Sequence, residues 1–239
     1  MNIQPNYNDN LDLYTIIFRN IINLLKARKC NSERLDFIET IYSLEEFSKQ
    51  MNDSEEYGIS FSITRKFNDN NILTIIFILK NSTEMKKKTF ITVCEKTKDI
   101  INLEEKYDLY NVILVIPRYD KFFKFVEEVN NIKEYGNVFN GKEKKRLEAP
   151  YYECFSFTEL SFNILEHKYV PEHILLEKEE SKKIIEKYSL NISQLPRIYV
   201  SDPVIRFIGG MKGSIVKIIR TGYETGISIY LRIIISKAD

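Results

Sequence analysis

Two short runs of opposite charge, Glu84-Met-Lys86 and Glu95-Lys96, come nearest to a catalytic grouping in this chain. A Mg²⁺-dependent nuclease needs two carboxylates that converge on the ion and a lysine beside them, because the ion activates water and neutralises charge on the phosphate. The first run lies in a lysine-rich turn, the second ends a predicted strand, and neither follows an aspartate at a strand end. A solvated surface is the commoner origin of such charges, so the sequence favours a protein without nuclease activity. The sequence also contains no phosphate-binding loop, dinucleotide-binding glycine signature or nucleophile elbow.

The cysteines and histidines do not form a metal-binding pattern. Cys30, Cys94 and Cys154 are widely spaced and odd in number, which predicts buried reduced thiols and no disulfide framework. His167 and His173 are six positions apart with no cysteine or carboxylate cluster nearby, whereas zinc needs three or four protein ligands. We therefore expect no metal, no cofactor and no small-molecule ligand, with both imidazole rings hydrogen-bonded at the entry to the C-terminal region.

Three helices are predicted in the N-terminal region. Apolar residues recur at helical spacing over Leu11–Leu25. Asn31 or Ser32 can cap a second helix. The spacing of Ser43 and Glu46 is that of a capping box, which predicts a third helix over Glu45–Met51.

A sheet should accompany these helices. Its strand candidates are rich in Ile, Val, Phe and Thr, and they are Ile59–Thr64, Ile72–Leu79, Thr89–Cys94 and Val112–Ile116. Asn68–Asn71 reads as a hairpin turn between the first two. Pro117 ends the last strand, and a further helix is predicted over Lys121–Val129. Strands and helices in this order predict an α/β layer.

The C-terminal region is dense in residues that shape the backbone. Asp202-Pro203 predicts a helix start, since the carboxylate can accept the free amides of the first turn and proline needs no donor there. Gly209-Gly210 should end that helix, and Gly213 should open a strand over Ser214–Arg220. Ile227–Ile235 alternates with period two and predicts a second strand.

One more helix is expected over Glu177–Tyr188. Its acids come first and its bases later, which suits the helix dipole, and Ile184 and Ile185 lie on one side. The helix should therefore cover one face of a small sheet.

This C-terminal run resembles the C-terminal domain of the small subunit shared by the eukaryotic nuclear RNA polymerases I, II and III, which has a small homologue in the archaeal RNA polymerase. The residues that match the family pattern are His167, Val170, Pro171, His173, Leu195, Pro196, Arg197, Ile198, Asp202, Pro203, Val204, Arg206, Gly209, Gly213, Val216, Lys217, Ile218 and Arg220. The chain departs from the family at Glu177, where a Thr or Ser cap is usual, and over Glu224–Ile227, where the family has Thr-Ala-Gly-Arg. Loss of that arginine implies an altered contact to the largest subunit.

The resemblance implies a fold and a domain plan. Residues 1–150 are expected to form an α/β jaw domain with a restriction-endonuclease-like layout and no active site, with an inserted loop at about 130–150. Residues 151–166 are expected to be a connector. Residues 167–239 are expected to form a small α+β assembly domain with a mixed sheet, like the archaeal homologue. A chain of 239 residues, 44% of them hydrophobic, suits two such domains.

The implied function is that of a noncatalytic subunit of a multisubunit DNA-directed RNA polymerase. Its C-terminal domain would dock on the largest subunit, and its N-terminal domain would form part of the lower jaw beside downstream DNA. The alternatives are a free-standing DNA-binding or nuclease-like protein that carries a borrowed docking module, and a free-standing regulator that competes for the polymerase.

Charge distribution bears on the partners. A net charge of +1 excludes a protein that coats nucleic acid generally. Residues 181–239 nevertheless contain ten Lys and Arg against four acids, a net of +6, which can meet an acidic subunit surface or lie near DNA. A solvated basic face is the alternative. The further candidates for phosphate contacts are Lys86, Lys87, Lys88, Lys144, Lys145 and Arg146.

We expect a soluble intracellular protein that does not bind membranes. No apolar run approaches the roughly 20 residues of a membrane helix, and the polar start at Met1 lacks the features of a signal peptide. Heavy use of Asn, Ile, Lys, Tyr and Phe indicates an AT-rich genome, either of a large DNA virus or of a protist. A cellular protein of this kind would be nuclear, whereas a viral one would act in cytoplasmic factories or be packaged in the virion.

Overall fold

The chain divides into two compact units in a computed structural model that describes residues 12–53, 58–79, 87–103, 107–117, 150–189, 191–222 and 226–236. The first unit comprises residues up to Ile22 and Lys29–Phe162, and the second comprises Asn23–Arg28 and residues from Asn163 onward. The helix predicted over Lys121–Val129 and the insertion at about 130–150 lie outside the described residues. No helix in the described ranges is long and apolar enough to cross a membrane.

Three helices open the chain, as the sequence predicts. They are α1 (Leu13–Ala27), α2 (Ser32–Ile41) and α3 (Leu44–Asp53). The Asn31 side chain caps α2 by accepting the Arg34 backbone N–H at 2.8 Å. Phe18 of α1 stacks on Phe47 of α3 with the ring centroids 4.3 Å apart, so aromatic packing joins these two helices.

Among the described residues, the sheet of the first unit has four strands in the order β1-β2-β3-β4. They are β1 (Ile59–Phe67), β2 (Asn70–Ile78), β3 (Leu109–Ile116) and β4 (Tyr151–Ser156). The first pair is antiparallel and the other two pairs are parallel, which makes the sheet mixed. Asn68 and Asp69 both have positive φ, 50° and 66°, which suits the two-residue turn of a twisted hairpin. The predicted hairpin is thus confirmed.

The prediction of a strand over Thr89–Cys94 is wrong. These residues belong to α4 (Lys87–Leu103), which packs on one face of the sheet through Val93, Cys94 and Ile101. The buried positions Val93, Thr97 and Ile101 recur every four residues, as one face of a helix requires. A run of β-branched residues favours a strand only weakly, and packing against the sheet overrides it here.

The segment expected to be a connector, residues 151–166, begins with a strand. Its first six residues form β4, which pairs with β3 and buries Tyr152 and Cys154 in the core of the first unit. Only the remainder, which includes two short 3₁₀ turns at Glu159–Ser161 and Ile164–Glu166, carries the chain towards the second unit. The apolar pattern of β4 spans only six residues, which is too short to distinguish a strand from a connector in the sequence.

The second unit is an α+β module built on its own mixed sheet. Its elements are β5 (Glu172–Leu175), α5 (Lys178–Lys187), β6 (Arg197–Tyr199), α6 (Pro203–Phe207), β7 (Ile215–Gly222) and β8 (Gly226–Ile235). The strand order is β5-β7-β8-β6, with β6 parallel to β8 and the other pairs antiparallel. Helices α5 and α6 and strands β7 and β8 confirm the sequence-based predictions, whereas the short edge strands β5 and β6 were not predicted.

Apolar side chains cover both faces of this second sheet. On one face Ile184 and Ile185 of α5 pack near Leu176, Leu195 and Ile215. On the other face the buried cluster is Ile205, Ile208, Val216, Ile218 and Ile234. The sheet is therefore the middle layer of the module, and α5 covers one of its faces, as the amphipathic pattern of α5 predicts.

Candidate assembly surface

Asp202 and Pro203 start helix α6. One carboxylate oxygen of Asp202 accepts the backbone N–H groups of Val204 at 2.9 Å and Ile205 at 3.2 Å. Pro203 fills the first helical position, where the missing N–H costs nothing. These two residues fix where the helix begins, so their role in the family pattern is to shape the backbone.

The end of α6 is held by glycine and by a distant arginine. Gly209 has φ of 69°, and the Gly210 N–H donates to the Ile205 carbonyl at 2.9 Å. Arg28, only 3% exposed, donates from Nε to the Phe207 carbonyl at 3.2 Å and from Nη2 to the Arg206 carbonyl at 2.6 Å. Its guanidinium thereby supplies a donor to the Phe207 carbonyl and a further donor to the Arg206 carbonyl, which also accepts the Gly209 N–H at 3.1 Å.

Gly213 prepares the chain for β7. It has φ of 85°, a conformation that a residue with a side chain adopts only under strain. Its N–H donates to the Ile234 carbonyl of β8 at 2.9 Å. This glycine therefore sets the point at which the chain leaves α6 and joins the sheet.

The two histidines bond to nearby backbone atoms. Nδ1 of His173 lies 2.7 Å from the Pro171 carbonyl, and because a carbonyl only accepts, that nitrogen carries the proton. Nδ1 of His167 accepts the Tyr169 backbone N–H at 3.4 Å. Each ring is thus tied to a residue two positions away and helps to shape the entry to β5.

The segment Leu195-Pro196-Arg197 anchors strand β6 to β8. The Leu195 side chain is buried beside Ile215, and the Pro196 carbonyl accepts the Ile233 N–H at 2.9 Å. The Arg197 carbonyl accepts from Nη1 of Arg232 at 3.3 Å, while the Arg197 side chain is exposed. Leu195 and Pro196 are therefore structural, and Arg197 presents a positive charge to solvent.

Strand β7 presents its two matching cations on opposite faces of the sheet. Lys217 and Arg220 are three residues apart, and side chains alternate between faces along a strand. Lys217 shares its face with Leu231 and Ile174, its partners on β8 and β5. The Arg220 guanidinium lies 4.9 Å from the ring centroid of Tyr230, on the other face. The structure thus does not gather Lys217 and Arg220 into one patch.

The sequence-predicted site residues fall into three groups. Those that set the backbone conformation or pack in the interior are Pro171, His173, Leu195, Pro196, Asp202, Pro203, Gly209 and Gly213. Those that present a polar or charged side chain at least partly to solvent are His167, Arg197, Arg206, Lys217 and Arg220. The side chains of Lys86, Lys87, Lys88, Lys144, Lys145 and Arg146 lie outside the described residues.

Arg28 is a contributor that sequence reasoning missed. It follows an apolar helix, within the basic run Lys26–Lys29, where a solvated charge is the ordinary expectation. Only the backbone geometry of a segment 179 positions away shows its role.

The residues considered for nuclease chemistry do not form a site in the described part of the chain. Glu95 and Lys96 are exposed and lie within helix α4. Among the described residues, no group of three or more His, Cys, Asp and Glu side chains is arranged to hold a metal ion. The cysteines Cys30, Cys94 and Cys154 are buried free thiols, as predicted.

Cys94 lies on the face of α4 that packs into the core of the first unit. Burial raises the pKa of its thiol, and the hydroxyl of Tyr152, which donates to Sγ at 3.5 Å, lowers it by a smaller amount. The thiol therefore stays protonated near neutral pH and is not a nucleophile.

Comparison with known proteins identifies the class of the C-terminal module. The family "RNA polymerase Rpb5, C-terminal domain" matches residues 162–234. The chain is 44% identical over 89 residues to the DNA-directed RNA polymerases I, II, and III subunit RPABC1 of Caenorhabditis elegans, which covers 36% of this chain and 42% of the relative. The Dictyostelium discoideum protein of the same description is 44% identical over 81 residues, 34% of this chain and 41% of the relative. This chain therefore matches less than half the length of these two relatives.

An archaeal relative is matched almost completely. The DNA-directed RNA polymerase subunit Rpo5 of Methanocaldococcus jannaschii is 40% identical over 74 residues, which is 31% of this chain and 95% of that protein. The second unit therefore carries the domain that this family model describes. The chain belongs to the Rpb5/Rpo5 family.

Proposed function

We propose that the chain is a noncatalytic subunit of a multisubunit DNA-directed RNA polymerase. The observation that carries this proposal is the match of the family "RNA polymerase Rpb5, C-terminal domain" to residues 162–234, nearly all of which belong to the second unit. Within that match Asp202, Gly209 and Gly213 have the backbone roles that their types suggest. Nucleotide addition would then belong to other subunits, and the chain would contribute assembly and positioning.

The second unit is the part proposed to dock on the largest subunit. Its buried residues hold the fold, so the groups left for a partner are the solvent-facing ones, among them Arg197, Arg220 and Tyr230. The net charge of +6 over residues 181–239 suits an acidic partner surface. Docking through this module would leave the N-terminal residues free to serve as a separate domain.

The docking proposal is tested by charge reversal in the full chain. Arg220→Glu places a carboxylate on the proposed interface, whereas Arg19→Glu makes the same change at an exposed position of α1. We expect the first variant to recover less of the largest subunit on affinity purification at raised salt, and the second to match the parent protein. Equal recovery by both variants would exclude Arg220 from the interface.

The N-terminal residues are proposed to form a lower jaw beside downstream DNA, with a restriction-endonuclease-like layout and no active site. The four-stranded mixed sheet with α4 on one face supports an α+β layout for this domain. DNA contacts are proposed for Lys86–Lys88 and Lys144–Arg146, because lysine runs make sequence-independent phosphate contacts.

The jaw proposal predicts the salt dependence of DNA binding. Replacing Lys144, Lys145 and Arg146 by Gln in the assembled polymerase should weaken downstream DNA binding and lower its logarithmic salt slope by about 1 for each phosphate that is no longer neutralised. An unchanged salt slope would exclude these residues from DNA contact.

The location of the protein would follow that of its polymerase. This would be the nucleus for a cellular enzyme, and a cytoplasmic factory or the virion for a viral one.

A further inference from the structure

A groove runs along the open edge of the first unit's sheet, beside β1. Its volume is about 350 Å³. Its lining comes from α2 and the following Tyr42, from β1 and from α4, and it includes Arg34, Phe37, Ile41, Ser60 and Ser62. The groove is thus built entirely within one unit and lies outside the proposed assembly surface.

The backbone of β1 aims hydrogen-bonding groups into this groove. The Asn31 N–H donates to the Thr64 carbonyl at 2.8 Å, from the side opposite β2. Successive residues of a strand point their N–H and C=O groups to alternate sides, so Ser60 and Ser62 also face away from β2. Among the residues that the structure describes, neither serine has a backbone partner on that side.

The chain itself begins a fifth strand and then leaves it. Cys30 forms an isolated antiparallel bridge with Arg65, next to the bond from Asn31 to Thr64. Asn31 then caps α2, which turns the chain away from the edge. Among the described residues, the edge is therefore occupied at Thr64 and Arg65 and has no backbone partner at Ser60 and Ser62.

Apolar side chains flank this open edge. Phe37 and Ile41 are 51% and 46% exposed, and their spacing of four places them on one face of α2. Tyr42, Phe61 and Ile100 are partly buried and complete the lining. An extended peptide points alternate side chains to opposite sides, so it can use these walls while its backbone pairs with β1.

The charge of the groove indicates what the occupant carries. Arg34 is the one charged residue among the described residues that line it, and its guanidinium lies 5.1 Å from the centroid of the Phe37 ring. Guanidinium groups bind carboxylates through paired hydrogen bonds. A partner that complements the groove therefore combines apolar residues with an acidic one.

We propose that this groove binds an extended segment of a partner polypeptide by strand addition. The segment's backbone pairs with Ser60 and Ser62, its apolar side chains lie against Phe37 and Ile41, and an Asp or Glu side chain binds Arg34. This surface is independent of the proposed docking of the second unit.

The first test is a phage-display selection with random 12-residue peptides. Phage that bind the immobilised full chain are kept, and phage that also bind the Phe37→Glu variant are removed by counter-selection. We expect enriched peptides with alternating apolar residues and an Asp or Glu. No enrichment over the counter-selection, or enriched peptides without an acid, would overturn the proposal.

The enriched peptide is then synthesised with a fluorescent label and titrated by anisotropy. Arg34→Gln and Phe37→Glu should each raise the Kd about tenfold or more, since each removes a specific contact. Leu13→Glu is the matched control, because Leu13 is 47% exposed on another helix. An equal effect of the control would overturn the proposal.

Two substitutions at one position isolate the backbone contribution. Ser62→Pro removes an N–H that points away from β2, a position where an edge strand tolerates proline. Ser62→Ala keeps that N–H and removes only the hydroxyl. We expect weakened peptide binding for the proline variant alone, with unchanged far-ultraviolet circular dichroism for both; equal binding by the two variants contradicts strand addition.

Amide exchange measured by NMR tests strand addition and the other occupants directly. In the free chain Ser60 and Ser62 should exchange faster than Phe61 and Ile63, whose N–H groups face β2. At a free peptide concentration of about 100 times the Kd, exchange at both serines should slow about 100-fold. Slow exchange in the free chain would show that the chain's own residues cover the edge, protection that rises with protein concentration would show a second copy, and either result would overturn the proposal.

Discussion

Asp202 controls the first turn of α6 through a single carboxylate oxygen that accepts two backbone N–H groups. Replacing it by Ala should lower the free energy of unfolding by about 1 kcal/mol, whereas Asn, which keeps the acceptor, should cost less. Urea denaturation of the full chain measures both variants. An equal loss for Ala and Asn would show that the negative charge matters and the acceptor does not.

Arg28 provides a second test at the residue scale. Arg28→Ala removes the guanidinium donor from the buried Phe207 carbonyl and one of two donors from the partly buried Arg206 carbonyl, which should cost about 1–3 kcal/mol in the free energy of unfolding. Arg19→Ala, at an exposed position of α1, should change it by no more than about 0.5 kcal/mol. Thermal and urea unfolding compare the two, and similar losses would contradict a specific role for Arg28.

The buried thiol of Cys94 makes stability depend on pH. Because burial raises its pKa, the folded state holds the proton more tightly than the unfolded state does. Its contribution is fully present below the ordinary cysteine pKa of about 8.5 and is lost as the pH rises towards the folded-state value. Unfolding free energies measured between neutral and alkaline pH should fall less steeply for Cys94→Ala than for the parent protein. An unchanged slope would contradict this assignment.

Residue-level prediction succeeded where local backbone geometry restricts the residue type. Asp202 before Pro203, and glycine where φ is positive, can be read from the sequence because few other residues serve there. Arg28 could not be predicted in this way, since its partners are brought to it only by the tertiary fold. The open edge of β1 is equally invisible until the strand order is known.

At the scale of elements, Gly210 sets how closely α6 approaches the sheet. A Cβ added there would lie 2.7 Å from Cγ2 of Ile205 and 2.8 Å from Cδ1 of Ile234. Gly210→Ala should therefore destabilise the protein by about 1–3 kcal/mol through overpacking.

The same contact predicts coupling between the helix and the strand. Ile234→Val removes the Cδ1 atom, so it should cost less in the Gly210→Ala background than in the parent protein. A double-mutant cycle of urea unfolding measures this difference. Strict additivity would show that the alanine is accommodated by a movement elsewhere.

Elements with a complete periodic pattern were predicted, and those with a short or mixed pattern were not. α1 and the β1–β2 hairpin have long stripes or a diagnostic turn. In α4 a short β-branched run concealed a helical spacing that becomes clear only over the whole of Lys87–Leu103. β5 and β6 have four and three residues, too few for any period to be seen.

At the scale of the whole molecule, the family could be identified from the sequence of the second unit. Backbone geometry restricts the residue types in its pattern. The sequence of the first unit gives less evidence for the family, because a hydrophobic core accepts many substitutions that keep its volume and patterning. An α/β layout was therefore predicted for residues 1–150 from element order alone, whereas the sheet is mixed and one of the predicted strands proved to be a helix.

The central claim is that this chain is a stoichiometric subunit of a multisubunit RNA polymerase. The most direct measurement is affinity purification of the tagged full chain from its native source, followed by quantitative mass spectrometry of what remains bound after a salt wash. We predict the two largest polymerase subunits in equimolar amounts with the chain. Recovery of the chain without them would contradict the account.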